Sequence, residues 1–231
     1  MQLPILDPIN PDQKFPDIET ALSEPDGLLA AGGCLSSQRL INAYKQGIFP
    51  WYSPGEPILW WSPNPRLVLF PEKLKASRSL QKTIRKKMFS ISYDQNFAQV
   101  MQYCAAPRAD EMGTWITEEM YQAYTTLHQQ GLAHSFEAWL DGELVGGLYG
   151  IAIGQVFFGE SMFHRKTNAS KVAFYHLVTQ LSSWGYQLID CQIHTNHLIS
   201  LGAEEINRMD FSSLLKQYCS IEPDDKSWVC E

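Results

Sequence analysis

The stretch LIDCQIH, residues 188–194, sets polar and apolar residues in alternation. On a β-strand alternate side chains share a face, so we expect Asp190, Gln192 and His194 to point the same way. Polar side chains on a core-facing strand are unfavourable unless they have partners or a function. We expect Asp190 to accept a hydrogen bond from the Gln192 amide, which leaves the Gln192 carbonyl oxygen for an amine. The alternative is a buried pair that only satisfies loop backbone.

A second candidate is GESMF, residues 159–163, which follows the apolar run QVFF. Glu160 is an acid at the end of an apolar strand, and Met162 and Phe163 are apolar where a surface loop is usually polar. This pattern is typical of an adaptable apolar pocket with an acidic rim. The alternative places Met162 and Phe163 in the core and Glu160 in solvent.

The segment GIFPWYSPGEPILWWSP, residues 47–63, holds five aromatic residues among four prolines. Proline removes backbone donors, so this segment predicts neither a long helix nor a central strand. We expect Trp60 and Trp61 to lie mainly in the core.

Residues 66–93 carry eight basic residues and one acidic residue, although the whole chain has a net charge of −7. A basic island on an acidic molecule indicates a local anionic partner. The alternative is a solvated helix face without a partner. The island consists of Arg66, Lys73, Lys75, Arg78, Lys82, Arg85, Lys86 and Lys87.

Other chemistries fit these residues less well. Cys191, His194 and His197 lack a fourth ligand, and strand geometry turns Cys191 away from His194, which argues against zinc. The same geometry argues against a cysteine nucleophile. GGLYGIAIG lacks the Lys-Ser or Lys-Thr of a phosphate-binding loop and falls in a predicted hairpin, so its glycines favour a close backbone or ligand approach instead.

The elements that must position these residues alternate after residue 66. Hairpin turns are predicted at Asp141-Gly142 and Gly154-Gln155. Strands are predicted in RLVLF, MFSISYD and YQLIDCQIH, and helices in SRSLQKTIRKK, NFAQVMQYCA, TEEMYQAYTTLHQQG and ASKVAFYHLVTQLSSWG. The earlier part predicts one clear helix, SSQRLINAYKQG. A meander, a crossover helix and a further strand predict an α+β fold with a mixed sheet flanked by helices.

The composition suits a folded, intracellular protein. The 231 residues are 45% hydrophobic, which supports a sizeable core. Five scattered cysteines without a C-x-x-C pair suit reduced thiols in a cytosol. No apolar run approaches the roughly 20 residues of a membrane span. The beginning of the chain does not resemble a signal peptide, so we expect a cytoplasmic protein with no membrane partner.

Together these stretches resemble the bacterial leucyl/phenylalanyl-tRNA–protein transferases. The combination of GIFPWY, WWSP, GESMF and LIDCQ is far more specific than any single short motif. The matching segments run in order from residue 25 to 206: PDGLLAAGG, RLINAYKQGIFPWYSPGEPILWWSPNPR, TWITEEMYQAYTTLH, AHSFEAWLDGELVGGLYG, FFGESMF, NASKVA and LIDCQIHTNHLISLGAEEI.

The resemblance implies an enzyme that transfers Leu or Phe, and less well Met, from aminoacyl-tRNA to the N-terminal Arg or Lys of a protein. The product is marked for degradation by the N-end rule pathway. The resemblance also implies a small N-terminal α/β domain over residues 1–66 and a GNAT-type acyltransferase domain over residues 67–231. It implies a monomer that uses no cofactor: no metal, ATP or CoA.

The resemblance also implies roles for individual residues. Gln192 lies nearest the attacking amine, Asp190 polarises it, and Glu160 helps to hold the cationic N-terminal residue or its amine. Whether this pair or a ribose hydroxyl of the tRNA handles the proton stays open. Leu148, Gly159, Met162, Phe174, Leu177 and Ile189 form the apolar pocket for the transferred side chain.

Two further sets of residues are implied to bind the tRNA. Phe49, Trp51 and Trp115 frame the pocket and stack on the terminal adenosine, whose unpaired base is best bound by aromatic rings. Arg78, Lys82, Arg85 and Lys86, within the basic island, contact the phosphates of the acceptor stem.

The chain departs from the family pattern at Cys34, Asn64, His164 and Asn207, where the family usually has Asp, Asp, Ser and Pro. Of these, His164 directly follows GESMF and bears on the rim that selects the acceptor. Two other functions remain as alternatives. A CoA-dependent N-acetyltransferase on the same fold is disfavoured because FHRKTNASK lacks a glycine-rich pyrophosphate loop. A non-catalytic RNA-binding module would use the rings and the basic island alone.

Overall fold

A small four-stranded sheet is built from the first 65 residues, in the strand order β1–β2–β4–β3. The computed structural model describes residues 3–106, 116–224 and 227–229. The elements of this part are β1 (Ile5–Leu6), β2 (Leu28–Gly32), α1 (Ser37–Tyr44), β3 (Phe49–Pro50) and β4 (Leu59–Trp61). The predicted helix is confirmed, and it begins where the Ser36 hydroxyl accepts a hydrogen bond from the Arg39 backbone N–H.

A seven-stranded sheet follows, in the order β11–β5–β10–β9–β8–β7–β6. The pair β9–β10 is parallel and is joined through α5, whereas the other neighbours in this sheet are antiparallel. Its strands are β5 (Arg66–Leu69), β6 (Ser90–Tyr93), β7 (Ala133–Leu140), β8 (Glu143–Ile153), β9 (Val156–His164), β10 (Leu188–Gln192) and β11 (Glu204–Ile206). The helices are α2 (Arg78–Arg85), α3 (Phe97–Ala105), α4 (Glu118–Gln129), α5 (Ala169–Ser183), α6 (Asn196–Ser200) and α7 (Arg208–Tyr218).

The mixed α+β fold predicted from the sequence is confirmed. Both predicted hairpins are present, because Asp141 and Gly142 have φ values of 53° and 82° between β7 and β8, and Gly154 has φ 54° between β8 and β9. Gly146 on β8 lets the backbone of α5 approach closely, since a Cβ there would lie 2.5 Å from the Cβ of Ala169. The sheet and its crossover helix are therefore in close contact beside the end of β9.

The two sheets share a hydrophobic core. Trp60 and Tyr44 from the first part are fully buried together with Tyr124 and Phe158 from the second. Trp60 is core, as expected, and its indole donates to the Gly32 carbonyl oxygen at 2.8 Å. Because buried side chains of both parts form one cluster, the division at residue 66 into two domains stays a prediction.

Trp61 differs from Trp60 because it is only half-buried. Its indole N–H donates to the backbone oxygen of Trp51 at 2.7 Å, and the two rings lie 5.7 Å apart at a tilt of 58°. Trp61 therefore packs against the edge of the core and also supports Trp51. Across the described ranges, no helix has both the length and the apolar character needed to cross a membrane.

Candidate active site

A cavity of about 460 Å³ opens where β8, β9 and β10 meet the aromatic segment that contains β3. The sides supplied by the sheet are mostly apolar, and polar side chains enter from β9 and β10. Seven of its lining residues carry roles implied by the family resemblance as pocket or ring residues: Phe49, Trp51, Leu148, Gly159, Met162, Phe174 and Ile189. Leu177 departs from expectation, since it is fully buried in the core on α5 and does not line this cavity. Trp115 lies outside the described residues.

Asp190 lies on β10 at the floor of this cavity and is fully buried. Its carboxylate forms a two-pronged ion pair with Arg66, in which Nε donates to Oδ1 at 2.8 Å and Nη2 donates to Oδ2 at 2.6 Å. Such a fork-to-fork pair is among the stronger charge-assisted hydrogen bonds in proteins. The expectation for Asp190 needs correction, because its main side-chain partner is Arg66 and not the Gln192 side-chain amide.

Gln192 follows Asp190 across an irregularity in the pairing of β10 with β5. Its backbone N–H donates to Asp190 Oδ1 at 2.9 Å, and its φ of 62° lies in the left-handed region. A residue other than glycine rarely adopts this conformation unless its surroundings impose it. The side chain then turns to β9, where its amide nitrogen donates to Glu160 Oε1 at 2.8 Å.

Glu160 receives hydrogen bonds from two tyrosines that the sequence analysis did not single out. Tyr44 donates to Oε1 at 2.7 Å and Tyr124 to Oε2 at 3.0 Å, and the two phenol oxygens also contact each other. The pKa of Glu160 is raised to about 7. Burial is the largest cause and the charge of Asp190 also raises the pKa, whereas the hydrogen bonds from Tyr44 and Tyr124 lower it. The alternative that placed Glu160 in solvent is therefore wrong, because Glu160 lines the cavity and is held by hydrogen bonds from Tyr44, Tyr124 and Gln192.

His194 does not share the face of Asp190 and Gln192, because β10 ends at Gln192. Its ring pairs with Glu205 at 2.8 Å and lies in an exposed position. Cys191 lines the cavity, yet burial raises the pKa of its thiol, the opposite of what a thiolate nucleophile requires. Within the part of the chain that the structure describes, no group of three or more His, Cys, Asp and Glu side chains could hold a metal.

The basic island divides into two parts in space. Arg66 is buried against Asp190 and is unavailable to an outside anion, which corrects its inclusion in the island. The four candidates for phosphate contacts lie on α2 and at its C-cap, Lys86, and this helix begins at the cap residue Ser77. A shallow groove of about 610 Å³ is lined there by Arg78, Gln81, Lys82, Arg85 and Lys86.

Three functional side chains were missed or misassigned from the sequence. Tyr44 and Tyr124 lie on separate helices and meet Glu160 only through the tertiary fold. Arg66 was counted with its basic neighbours in the sequence. Its position directly before the apolar run LVLF was the one available signal, because a charged residue that begins a fully buried strand needs a partner.

Two models of one protein family match this chain. The family model described as leucyl/phenylalanyl-tRNA protein transferase matches residues 68–216, and the model of the N-terminal domain of that family matches residues 33–64. Among solved structures, FemX is similar with a TM-score of 0.48 and 10% identity, over 78% of this chain and 71% of that chain.

Curated relatives are similar over nearly the full chain. A leucyl/phenylalanyl-tRNA–protein transferase of Nitrosomonas europaea is 61% identical over 217 residues, which cover 94% of this chain and 92% of the relative. Its counterpart in Methylococcus capsulatus is 55% identical over 226 residues, covering 98% and 96%. The chain belongs to the leucyl/phenylalanyl-tRNA–protein transferase family, and it is an aminoacyltransferase.

Proposed function

We propose that this cavity joins the leucyl or phenylalanyl group of an aminoacyl-tRNA to the N-terminal amine of an acceptor protein that begins with Arg or Lys. The observation that carries the proposal is an apolar cavity with Gln192 and Glu160 hydrogen-bonded to each other in its wall. An aminoacyl ester is already activated, so the enzyme mainly has to position a neutral amine against the ester carbonyl.

The apolar lining receives the side chain of the transferred amino acid. Leu148, Met162 and Phe174 supply flexible or aromatic surface, and Gly159 keeps one side of the cavity open. Leu, Phe and Met are unbranched at Cβ and pass a narrow entrance that obstructs Val and Ile by shape. Shape must contribute, because a missing methylene alone discriminates by only about 1–3 kcal/mol.

Trp51 is the ring best placed to stack on the terminal adenosine. Its side chain is 46% exposed, whereas Phe49 is 5% exposed and has the Arg66 guanidinium 4.8 Å from its ring centroid. Stacking of this kind stabilises a bound base by roughly 1–3 kcal/mol. Phe49 is therefore assigned to the frame of the pocket, and Trp115 keeps its proposed role at the rim.

The amine is held by Gln192 and Glu160. Because the Gln192 amide nitrogen donates to Glu160, its carbonyl oxygen is oriented to accept from the amine, and no described residue donates to that oxygen. A peptide amine has a pKa of about 7.7–8.0, so a useful fraction is neutral without a strong base. Asp190 polarises this arrangement through the backbone of Gln192. The ribose hydroxyl of the tRNA remains the competing proton carrier.

The cellular setting follows from these substrates. Charged tRNA is found in the cytoplasm, where we place the enzyme, and there it acts as a monomer without a cofactor. A new N-terminal Leu or Phe on the acceptor marks it for degradation by the N-end rule pathway. The acceptor preference for Arg or Lys rests on the family resemblance and on the acid Glu160 beside the cavity.

The proposal is tested by transfer of radiolabelled leucine from Leu-tRNA to a protein that begins with Arg. We expect transfer by the wild-type enzyme and a loss of roughly tenfold or more in Gln192→Ala, with tRNA affinity intact, because the amine loses its acceptor. The same acceptor beginning with Gly is the control and receives no leucine.

Three results would contradict parts of this proposal. Transfer that survives Gln192→Ala assigns the proton chemistry to the tRNA. Wild-type protein that binds tRNA without transfer supports the RNA-binding module. A thermal shift with acetyl-CoA supports the acetyltransferase alternative.

Replacing Lys82 and Arg85 with Ala is expected to weaken tRNA binding and to leave the transferred amino acid unchanged. The two side chains face the α2 groove and act on phosphates without reading sequence. In a plot of the logarithm of the binding constant against the logarithm of the salt concentration, the slope should become shallower by roughly 0.9 for each phosphate contact removed. Lys73→Ala is the matched control, because Lys73 is already paired with Glu204. Equal salt slopes in all variants would place the acceptor stem elsewhere.

A further inference from the structure

The guanidinium of Arg66 is completely enclosed, with the residue 1% exposed. Besides its two hydrogen bonds to Asp190, it donates from Nη1 to the Gly47 carbonyl oxygen at 3.1 Å. Arg66, on β5, is therefore hydrogen-bonded both to β10 and to the first residue of the aromatic segment, Gly47. Most of its donor capacity is directed at these two partners.

Aromatic rings also pack against this guanidinium. The ring centroid of Phe49 lies 4.8 Å from the Arg66 Cζ, and that of Phe211 on α7 lies 4.7 Å from it. Cation–π contacts of this kind are strongest when the cation is desolvated. The guanidinium of Arg66 thus contacts Phe49 on β3, Phe211 on α7 and Asp190 on β10.

Stability is a weak explanation for this arrangement. Replacing a buried ion pair by apolar residues of similar volume is often neutral or stabilising, because two charges must lose their hydration. Because the Arg66–Asp190 pair adjoins the cavity, we infer that it holds a neighbouring residue in position. The position it controls is that of Gln192, whose backbone N–H also donates to Asp190.

We propose that Arg66 is a positioning residue of the transfer reaction, which rests on the proposed function. Its two-pronged pair fixes Asp190, and Asp190 in turn holds Gln192 in the left-handed conformation from which the side chain reaches Glu160. Both carboxylate oxygens of Asp190 are engaged by Arg66, so Asp190 acts by holding Gln192 in place. Arg66 also links ring placement to amine placement through Phe49.

The test compares Arg66→Lys with Arg39→Lys. Arg39 is a matched control, because it is also fully buried and has its guanidinium 5.6 Å from the Phe15 ring centroid. Unlike Arg66, it donates to the backbone oxygens of Asn10 and Gln13, away from the cavity. Lysine keeps the charge at both positions and loses the planar fork.

We expect kcat for leucine transfer to fall roughly tenfold or more in Arg66→Lys, because a small misplacement of Gln192 is sufficient. The KM for Leu-tRNA should stay within about twofold of wild type, as expected when only transition-state positioning is lost. Arg39→Lys should lower Tm to a similar degree and leave kcat per folded molecule unchanged. Equal kcat values in the two variants overturn the inference.

Phe211→Leu keeps the ion pair and removes one aromatic face, so it serves if Arg66→Lys does not fold. We expect a smaller loss of kcat, about threefold, again at unchanged KM. If kcat equals that of wild type, the inference fails. Wild-type protein without any transfer activity defeats the proposed function and this inference together, whereas unaffected variants of an active enzyme defeat the inference alone.

Discussion

Asp190→Ala is expected to lower the free energy of unfolding by about 3–5 kcal/mol, because the buried guanidinium of Arg66 is left unpaired. Transfer should fall by roughly a hundredfold or more per folded molecule, since Gln192 also loses the acceptor of its backbone N–H. Denaturant unfolding and single-turnover transfer measure the two effects.

A paired replacement separates the two effects. Arg66→Met together with Asp190→Leu removes both charges, and stability should return to within about 1 kcal/mol of wild type. Transfer should remain as low as in Asp190→Ala, because the support of Gln192 is still missing. Asp94→Ala is the control, since it breaks the pair with His134 in the same sheet, outside the cavity. Recovery of transfer in the paired variant would show that Asp190 matters for folding alone.

Glu160→Gln is expected to change stability and transfer in opposite directions above neutral pH. Burial raises the pKa of Glu160 from 4.5 to about 7 in the folded protein, so the folded state binds more protons than the unfolded state between these values. Wild-type stability therefore falls as pH rises through this window and stays level above it. A neutral amide does not have this dependence, so the stability of the variant relative to wild type should rise between about pH 4.5 and pH 7 and stay constant above that range.

Transfer by the same variant should fall roughly a hundredfold, because an amide cannot offer the negative charge that holds the amine. Below neutral pH, a plot of the logarithm of the wild-type rate against pH should have a slope of about 2, because Glu160 and the amine must each lose a proton. In Glu160→Gln the slope should be about 1, because only the amine titrates. Rates from about pH 5.5 to 7.5 measure the slopes.

Glu137→Gln is the control for this experiment. Glu137 is a fully buried carboxylate on β7 that accepts from Ser92, Ser135 and the Asn96 backbone N–H, outside the cavity. Its replacement should leave the slope at about 2 and the transfer rate per folded molecule unchanged. A slope of about 2 in Glu160→Gln would contradict the role of the Glu160 carboxylate in binding the amine.

The sequence by itself determined the family and most of the helices and strands between residues 66 and 194, but not the strands of the first sheet or the elements after β10. Local signals are strong where one residue type suits one backbone conformation, as at the Ser36 cap or the Asp141-Gly142 turn. The alternation of polar and apolar residues predicted β10 and put Asp190 and Gln192 on one face of it. Both residues line the cavity in the structure. Local patterns of this kind depend on near neighbours in the chain, so they can be recognised without the fold.

Only the tertiary structure decided what these residues contact. Arg66 and Asp190 are 124 positions apart, and Tyr44 and Glu160 are 116 apart, so no periodicity relates them. The same distance in sequence explains why Arg66 was assigned to the basic island, and why the tyrosine partners of Glu160 were not foreseen. The pKa of Glu160 depends on burial and nearby charges. Those quantities exist only once both sheets and their helices have packed together.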